Sequence, residues 1–289
     1  MRTLDLSFSD NIINNEFEII KKGKYNGYET SYHWNNIVLK FQWKEFYKKE
    51  IELWNQNKLY KGLPLQSWIY SNRMKYIGKN ATNLTDREIL RAFKIAGIHI
   101  GNSFHSPFYI QQFIKDYNIK SIYDSCGGWG HRMLGAVAIG CEYSYNDINP
   151  ITYENCIQMQ KFLGFSTYVY NNDAACFTPS EDYEAVFTCP PYFNVEKYSE
   201  FGAENLSYSE FLNWWEQTII KSCIEKDTCK YFAFIINHTL KLDMENICLE
   251  LGLRKINEII LGKQNYSHLN SKSRVNGKKG EFLLVFTKN

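Results

Sequence analysis

The chain has 289 residues, enough for one catalytic core and a smaller appended unit, and its 44% hydrophobic content can fill an interior. These values argue against a small binding module alone. The net charge of +2 is divided unevenly, because residues 1–100 carry +6 and the remainder carries −4. A basic front half is compatible with contact to a polyanion, and a solvated lysine-rich surface is the alternative.

Cysteine spacing and hydropathy exclude several classes of protein. The eight cysteines lie far apart, without a C-x-x-C pair or a histidine spacing typical of zinc sites, so we expect reduced thiols and no metal. No apolar stretch approaches the roughly 18 residues of a membrane span, and the opening residues lack the layout of a signal peptide. We therefore expect a cytoplasmic protein with no membrane partner.

The first 100 residues are predicted to be mainly helical. Residues 43–59 are amphipathic, and Thr85 with Glu88 forms a capping box that predicts a helix through Ile95. We divide the chain into an N-terminal helical region over residues 1–100 and a second domain over residues 101–289.

Strands and helices alternate after Tyr117. The predicted strands cover residues 121–123, 142–145, 167–170, 185–188, 231–236, 255–261 and 282–287, and the predicted helices cover residues 133–139, 151–163, 208–224 and 242–251. Such alternation predicts an α/β fold with a mostly parallel seven-stranded sheet covered on both faces. Because a loop leads to the closing strand, we expect that strand to form an antiparallel edge.

A glycine cluster follows the first strand of this series. Asp124 stands at the strand end, and Gly128 and Gly130 precede the next helix. Glycines at such a turn allow a tight bend and the close approach of a ligand to the backbone. An ordinary strand-to-helix turn is the alternative for this motif taken alone.

Two further acids follow the next two strands. Asp147 lies 23 residues after Asp124, and Asp173 follows the third strand. The carboxyl ends of neighbouring parallel strands line one crevice, so the three acids are expected to converge on one ligand, with Asp147 accepting ribose hydroxyls. No Gly-Lys-Ser/Thr follows the glycines, which disfavours a triphosphate. We expect a nucleoside cofactor, S-adenosylmethionine, with NAD as the rival.

A double proline follows the fourth predicted strand, in Cys189-Pro190-Pro191-Tyr192. The prolines fix the backbone and leave carbonyls without competing local N–H donors. The Pro190 carbonyl could accept a hydrogen bond from an amino group, and Tyr192 could stack on the ring that carries this group. Ordinary packing is the alternative for Tyr192.

Together, the glycine turn and the double-proline segment resemble the DNA amino-methyltransferases that act on cytosine N4 or adenine N6. The run GWGHRMLGA at residues 128–136 is especially similar to phage and prokaryotic members. The resemblance covers roughly residues 102–288 and implies a Rossmann-like class I methyltransferase fold with S-adenosylmethionine as cofactor. Residues 101–289 would then be the catalytic domain, and residues 1–100 would be available for DNA recognition.

The resemblance also assigns roles to individual residues. It implies that the cofactor is bound by Ser106, Phe108, Asp124, Cys126, Gly128, Trp129, Gly130, Asp147, Ile148, Asp173 and Thr188. It implies that the catalytic residues are Cys189, Pro190, Pro191 and Tyr192.

Two departures from the family pattern stand out. Ser125 occupies a position that is usually proline, and Cys189 occupies the Ser/Asp/Asn position that accepts a hydrogen bond from the target amine. A thiol is a poor acceptor. Because cysteine is isosteric with serine, and serine usually accompanies cytosine N4 methylation in the family, we expect cytosine N4, with adenine N6 as the alternative.

The expected nucleic-acid surface combines an aromatic residue and a basic loop. Phe193 is expected beside a flipped base, and the loop at residues 262–280 carries Lys263, Lys272, Arg274, Lys278 and Lys279 without an acid. A solvated loop is the alternative. By exclusion, the basic front half, with Lys48, Lys49, Arg73 and Lys75, is the candidate for sequence recognition.

Three other functions stay open from the sequence. The acceptor could be RNA, Cys189 could be a nucleophile for cytosine C5 methylation, or the chain could be an inactive nucleic-acid-binding module. The placement of Cys189 before the prolines disfavours the nucleophile, because carbon-methylating enzymes of that kind resemble Pro-Cys. DNA is the expected partner, and a cognate restriction endonuclease is a candidate partner. The sequence leaves the oligomeric state open.

Overall fold

A computed structural model describes residues 4–23, 28, 35–77, 84–96, 105–193, 202–261 and 281–288. Within these residues the chain forms ten α-helices and nine strands. None of the helices in these ranges combines the length and the apolar character needed to cross a bilayer.

The front part of the chain is mainly helical, as predicted. Its elements are α1 (Asp10–Lys22), α2 (Asn35–Phe46), α3 (Lys48–Gln56), the short strands β1 (Leu59–Tyr60) and β2 (Leu63–Pro64), α4 (Leu65–Ile77) and α5 (Asp86–Ala96). The capping box before α5 is confirmed, because the Thr85 amide donates to Glu88 Oε2 at 3.0 Å and the Glu88 amide donates to Thr85 Oγ1 at 3.3 Å.

The amphipathic stretch over residues 43–59 does not form one continuous helix. The backbone leaves helical geometry at Tyr47, with φ −105° and ψ 19°, which separates α2 from α3. Asn57 then adopts a left-handed conformation and donates its N–H to the Leu53 carbonyl, a common way to end a helix. Leu59 therefore lies in a hairpin strand. The hydrophobic period continues through both breaks and gave no sign of them.

The second part contains the predicted strand and helix series. Its elements are α6 (Pro107–Tyr117), β3 (Ser121–Asp124), α7 (His131–Val137), β4 (Glu142–Asn146), α8 (Pro150–Leu163), β5 (Tyr168–Tyr170), β6 (Ala185–Thr188), α9 (Tyr208–Ile219), β7 (Tyr231–Asn237), α10 (Lys241–Glu250), β8 (Arg254–Ile260) and β9 (Glu281–Thr287). All seven predicted strands are confirmed, with bounds that differ by at most one residue. The long helix predicted to Ile224 ends at Ile219 and continues as one π-helical turn over Ile220–Ile224.

The large sheet has the strand order β5-β4-β3-β6-β7-β9-β8. The five strands from β5 to β7 are parallel, which confirms the predicted α/β architecture. The closing strand β9 is antiparallel to β7, as expected, but it is not the edge strand. It lies between β7 and β8. Strand β8 pairs antiparallel with the outer side of β9 and is therefore the edge strand.

Two hydrophobic cores cover the two faces of this sheet. One core packs α9 and α10, with residues such as Trp215 and Met244, against the strands. The other contains α6, α7 and α8, and also the side chains of Phe17 and Ile37 from the front of the chain. Helices α1 and α2 therefore share a core with the sheet, whereas α3, α4 and α5 form a separate cluster around Trp54. The cores do not divide at residue 100.

Helix α2 is joined to α8 by buried polar contacts. The Gln42 side chain is fully buried, donates to the Thr152 carbonyl at 3.2 Å and accepts from Asn155 Nδ2 at 2.9 Å. At the next turn, Asn149 Nδ2 lies 3.4 Å from Glu45 Oε1. These contacts bring the front helices next to the loop that follows β4.

Candidate active site

A cavity lies at the carboxyl ends of four neighbouring strands, β5, β4, β3 and β6. Its lining comes from the segments after β3 and β4 (Ser125, Cys126, Gly127, Gly128, Trp129, His131, Arg132, Asp147, Ile148, Asn149 and Thr152), after β5 and β6 (Asn172, Asp173, Ala174, Cys189, Pro190, Pro191 and Tyr192), and from His105, Gly202, Ala203, Leu206 and Trp214. The glycine turn and the double-proline segment therefore face one space. This is the edge of a parallel sheet at which α/β proteins bind their ligands.

The glycine turn needs its glycines for two different reasons. Gly128 and Gly130 have positive φ angles of 57° and 90°. At Gly127 the obstacle is contact, because a Cβ would lie 2.1 Å from the ring of Tyr145. The Tyr145 hydroxyl in turn donates to the Gly128 carbonyl at 2.6 Å. The turn is thus held against β4 and leaves its outer side open to the cavity.

Asp147 is the acid best placed for a ligand. It lines the cavity, and its carboxylate accepts the backbone N–H of Gly128 at 2.8 Å and that of Asn149 at 2.9 Å. Burial raises the pKa of Asp147 to about 6, although these two backbone donors lower it. The side chain is therefore ionised at neutral pH and keeps lone pairs for further donors. Ile148 lines the cavity beside it.

Asp173 occupies the far end of the same cavity. Its Oδ1 accepts from Trp214 Nε1 at 2.8 Å and from the Ala175 amide at 3.0 Å. The indole of Trp214, on α9, lines the cavity as well. Two of the three acids predicted to converge, Asp147 and Asp173, therefore do face one space.

The third predicted acid, Asp124, does not line the cavity. Its side chain is fully buried and accepts from Arg132 Nε at 2.6 Å and from the Tyr143 hydroxyl at 2.5 Å. The Cys126 amide is a further donor, at 3.3 Å. Arg132, which was not among the predicted site residues, takes the cavity-lining position in front of Asp124.

Four other residues predicted to bind the cofactor also lie behind the cavity wall. Ser106 caps α6 by accepting from the Phe108 amide at 3.3 Å, and the Phe108 ring packs in the core. A Cβ at Gly130 would lie 2.6 Å from Met159 Cε, so this glycine serves the packing of α7 on α8. Thr188 Oγ1 accepts from the Cys126 amide at 3.0 Å and ties the end of β6 to the glycine turn.

The predicted catalytic residues Cys189, Pro190, Pro191 and Tyr192 all line the cavity. Tyr192 is only 6% exposed, and its hydroxyl donates to Glu281 Oε1 at 3.0 Å. The Cys189 sulfur lies 3.8 Å from both the Tyr192 hydroxyl and the Pro190 carbonyl oxygen. The tyrosine is thus fixed by its hydroxyl, and the thiol stands at the centre of a polar cluster.

Two members of this cluster, His105 and Glu281, were not predicted as site residues. His105 Nε2 lies 3.3 Å from the Glu281 oxygen that binds Tyr192. Burial lowers the pKa of His105, but the adjacent Cys189 sulfur and the Glu281 carboxylate raise it to about 10. A polar residue directly before Ser106 and an acid at the first position of an apolar strand were the available signals.

The structure describes the side chains of three residues expected at the nucleic-acid surface, Phe193, Lys48 and Lys49. Phe193 does not line the cavity and packs against Phe211 and Tyr208, with ring centroids 5.5 and 5.2 Å apart. Lys48 and Lys49 are exposed on α3. The side chains of Arg73 and Lys75, and the whole of Lys263, Lys272, Arg274, Lys278 and Lys279, lie outside the described residues. No group of three potential metal ligands occurs among the residues that are described.

Comparison with known proteins gives structural likeness only. No protein-family model matches the chain, and no curated protein matches it. Similar solved structures include an S-adenosylmethionine-dependent methyltransferase from Clostridium acetobutylicum, with TM-score 0.45, 9% identity, and coverage of 63% of this chain and 90% of that one. The human methyltransferase 10 domain containing protein has TM-score 0.46, 10% identity, and coverage of 77% and 96%.

A third similar structure is the magnesium protoporphyrin IX methyltransferase from Synechocystis with bound S-adenosylmethionine. It has TM-score 0.42, 12% identity, and coverage of 78% of this chain and 95% of that one. These neighbours are methyltransferases, two of them described as users of S-adenosylmethionine. At these identities the likeness is one of fold.

The polar cluster around Glu281 leads to a prediction about His105. Replacing Glu281 with glutamine removes the neighbouring negative charge, so the titration midpoint of His105 should fall by about 1 to 2 pH units, measured by NMR of the imidazole protons. The matched control is Glu258→Gln on β8, whose carboxylate pairs with Lys241 and Lys255 instead. An unchanged midpoint in Glu281→Gln would show that this carboxylate does not hold the proton on His105.

Proposed function

We propose that the chain is an S-adenosylmethionine-dependent methyltransferase that modifies an exocyclic amino group of a DNA base, with cytosine N4 favoured. One observation carries the proposal: the glycine turn with Asp147 and the Cys189–Tyr192 segment line a single cavity. The hydrogen bond from the Cys126 amide to Thr188 fixes the distance between these two parts. A methyl donor and an acceptor amine can therefore be held side by side.

The cofactor end of the cavity fits a nucleoside without phosphates. Asp147 can accept ribose hydroxyls, while Ile148 and Trp129 offer apolar surface beside it. The open outer side of Gly128 leaves the backbone accessible, because a Cβ built there would meet no atom closer than 3.9 Å. When bound, S-adenosylmethionine supplies a methyl group activated by its sulfonium.

The acceptor end of the cavity fits an aromatic amine. The Pro190 carbonyl has no competing donor on the following proline and can accept an N–H of the amine. Tyr192 is anchored through Glu281, so its position does not depend on the substrate. These groups orient the amine and hold its protons while its lone pair faces the methyl donor.

The choice of DNA and of cytosine rests on the family resemblance. Serine at the position of Cys189 usually accompanies cytosine N4 methylation in that family, and cysteine has the shape of serine. The same proposal assigns the DNA contacts to the basic front helices and to the lysine-rich segment at residues 262–280. A cytoplasmic location stays a prediction from cysteine spacing and hydropathy, and a cognate restriction endonuclease stays a prediction of the resemblance.

The deciding experiment identifies the methylated nucleoside. The protein is incubated with labelled S-adenosylmethionine and either duplex DNA or RNA, and the polymer is digested and analysed by mass spectrometry. Labelled N4-methyldeoxycytidine is the expected product. N6-methyldeoxyadenosine would move the proposal to adenine, a labelled ribonucleoside would move it to RNA, and no label with no cofactor binding would favour an inactive binding module.

Cys189 is expected to act without forming a covalent bond. A hydroxyl is a better hydrogen-bond acceptor than a thiol, so Cys189→Ser should retain at least about a third of the wild-type kcat. Cys176→Ser, which removes an exposed thiol elsewhere, is the control. Complete loss of activity in Cys189→Ser, together with a trapped covalent adduct in the wild type, would instead identify Cys189 as a nucleophile for C5 methylation.

The raised pKa of Asp147 predicts how cofactor affinity depends on pH. Ribose hydroxyls bind the ionised carboxylate, so affinity for S-adenosylhomocysteine should be constant above pH 7 and fall below about pH 6, by up to about tenfold per pH unit. Calorimetry between pH 5 and 8 measures this profile. Asp147→Asn should be weak and flat, and Asp182→Asn, at an exposed acid, should match the wild type. A flat wild-type profile would contradict the assignment.

A further inference from the structure

Arg132 is a buried cation in the wall of the cavity. Its side chain is only 7% exposed, yet the residue lines the cavity. Burying a guanidinium is costly unless charged and polar partners compensate it. Asp124 is one such partner. The part of the guanidinium that faces the cavity is available for a second partner.

The contacts of Arg132 leave part of its fork available. Nε donates to Asp124 Oδ2 at 2.6 Å, and Nη2 donates to Asp124 Oδ1 at 3.4 Å and to the Cys126 carbonyl. Within the described part of the chain, no hydrogen bond from Nη1 is formed. A guanidinium has five N–H donors in a planar fork that matches a carboxylate. Two of them, on Nη1, remain for a ligand.

The position of Arg132 is fixed rather than adaptable. Asp124 is itself held by the Tyr143 hydroxyl and the Cys126 amide, so the guanidinium rests on a saturated, fully buried carboxylate. Next to it, a Cβ on Gly128 would project into open space 3.9 Å from Nη2. The glycine thus keeps clear the space beside the cation. A preorganised, desolvated cation of this kind binds an anion more strongly than a flexible surface residue does.

The sheet order indicates which ligand group reaches this place. The acids for the nucleoside follow β4 and β5, and the amine pocket follows β6. Strand β3 lies between β4 and β6. Arg132, on α7, contacts Asp124 at the carboxyl end of β3. A sulfonium whose adenosyl arm extends toward β4 and whose methyl group faces β6 has its third arm, the amino-acid chain, over β3. The carboxylate of that arm is the only anionic group of the cofactor.

We propose that Arg132 binds the α-carboxylate of the cofactor's amino-acid arm, and that Asp124 positions Arg132 rather than contacting the cofactor. This inference rests on the proposed methyltransferase function. It also changes the role that the sequence resemblance gave to Asp124. Asp124 acts on the ligand through Arg132 and does not touch it. The group that binds the ligand is Arg132, eight positions later in the chain.

The test compares three thioethers that share the adenosine end. S-adenosylhomocysteine has the full amino-acid arm, its decarboxylated analogue keeps the amine and lacks the carboxylate, and 5′-methylthioadenosine lacks the arm. In the wild type, calorimetry should show S-adenosylhomocysteine binding about 10- to 100-fold more tightly than the decarboxylated analogue, as expected for a charged hydrogen-bonded pair.

Removing Arg132 alone would leave Asp124 buried and unpaired, so the main variant carries Asp124→Asn and Arg132→Gln together. In this variant the preference for the carboxylate should fall to within about threefold, while affinity for 5′-methylthioadenosine stays within about threefold of the wild type. Arg132→Lys keeps the charge without the fork and should give an intermediate preference.

The outcomes separate the inference from the proposed function. If the double variant keeps the wild-type preference, or if all three ligands weaken equally, Arg132 has a structural role and the inference is wrong while the cofactor site stands. If the wild type binds none of the three thioethers, both the inference and the proposed function are wrong.

Discussion

The hydrogen bond from the Cys126 amide to the Thr188 hydroxyl joins the two segments on which the site depends. Parallel pairing of β3 with β6 brings their carboxyl ends together, but pairing alone would leave the loops beyond them free to diverge. Thr188, the last residue of β6, is fully buried and accepts from the Cys126 amide, two residues beyond the end of β3. The distance between the glycine turn and the double-proline segment is therefore set by this hydrogen bond together with the pairing of β3 with β6.

Around this link, buried polar groups are arranged in two sets with different partners. Asp124, Arg132 and Tyr143 form one set beneath the glycine turn. His105, Glu281 and Tyr192 form the other beside the double proline. Each set places a cation and a carboxylate in contact, so neither leaves an isolated charge in a low-dielectric region. Cavity-lining residues of both sets are thus held by partners on other strands and helices.

The sequence predicted the sheet well because strand and helix periods are local signals. All seven strands, and the convergence of Asp147, Asp173, Cys189 and Tyr192, follow from where elements end along the chain. Three kinds of error have physical causes. A helical period does not report a break such as Tyr47, a motif acid such as Asp124 can be covered by a partner eight residues later, and the position of β9 depends on pairing with β8. Glu281 reaches the site through the antiparallel pairing of β9 with β7, which sets Glu281 opposite Asn237 and which no local pattern encodes.

The docking of α2 limits how the front of the chain could be replaced by recombination. Phe17 and Ile37 are buried in the core beneath the catalytic sheet, and Phe46 touches Trp129, a lining residue of the cavity, with ring centroids 5.3 Å apart. A recombination junction placed near residue 100 would cut through one continuous interior. Any modular replacement of the front of this protein has to keep α1 and α2, and a replacement of α3, α4 and α5 has to preserve the packing of Ile51 on α2.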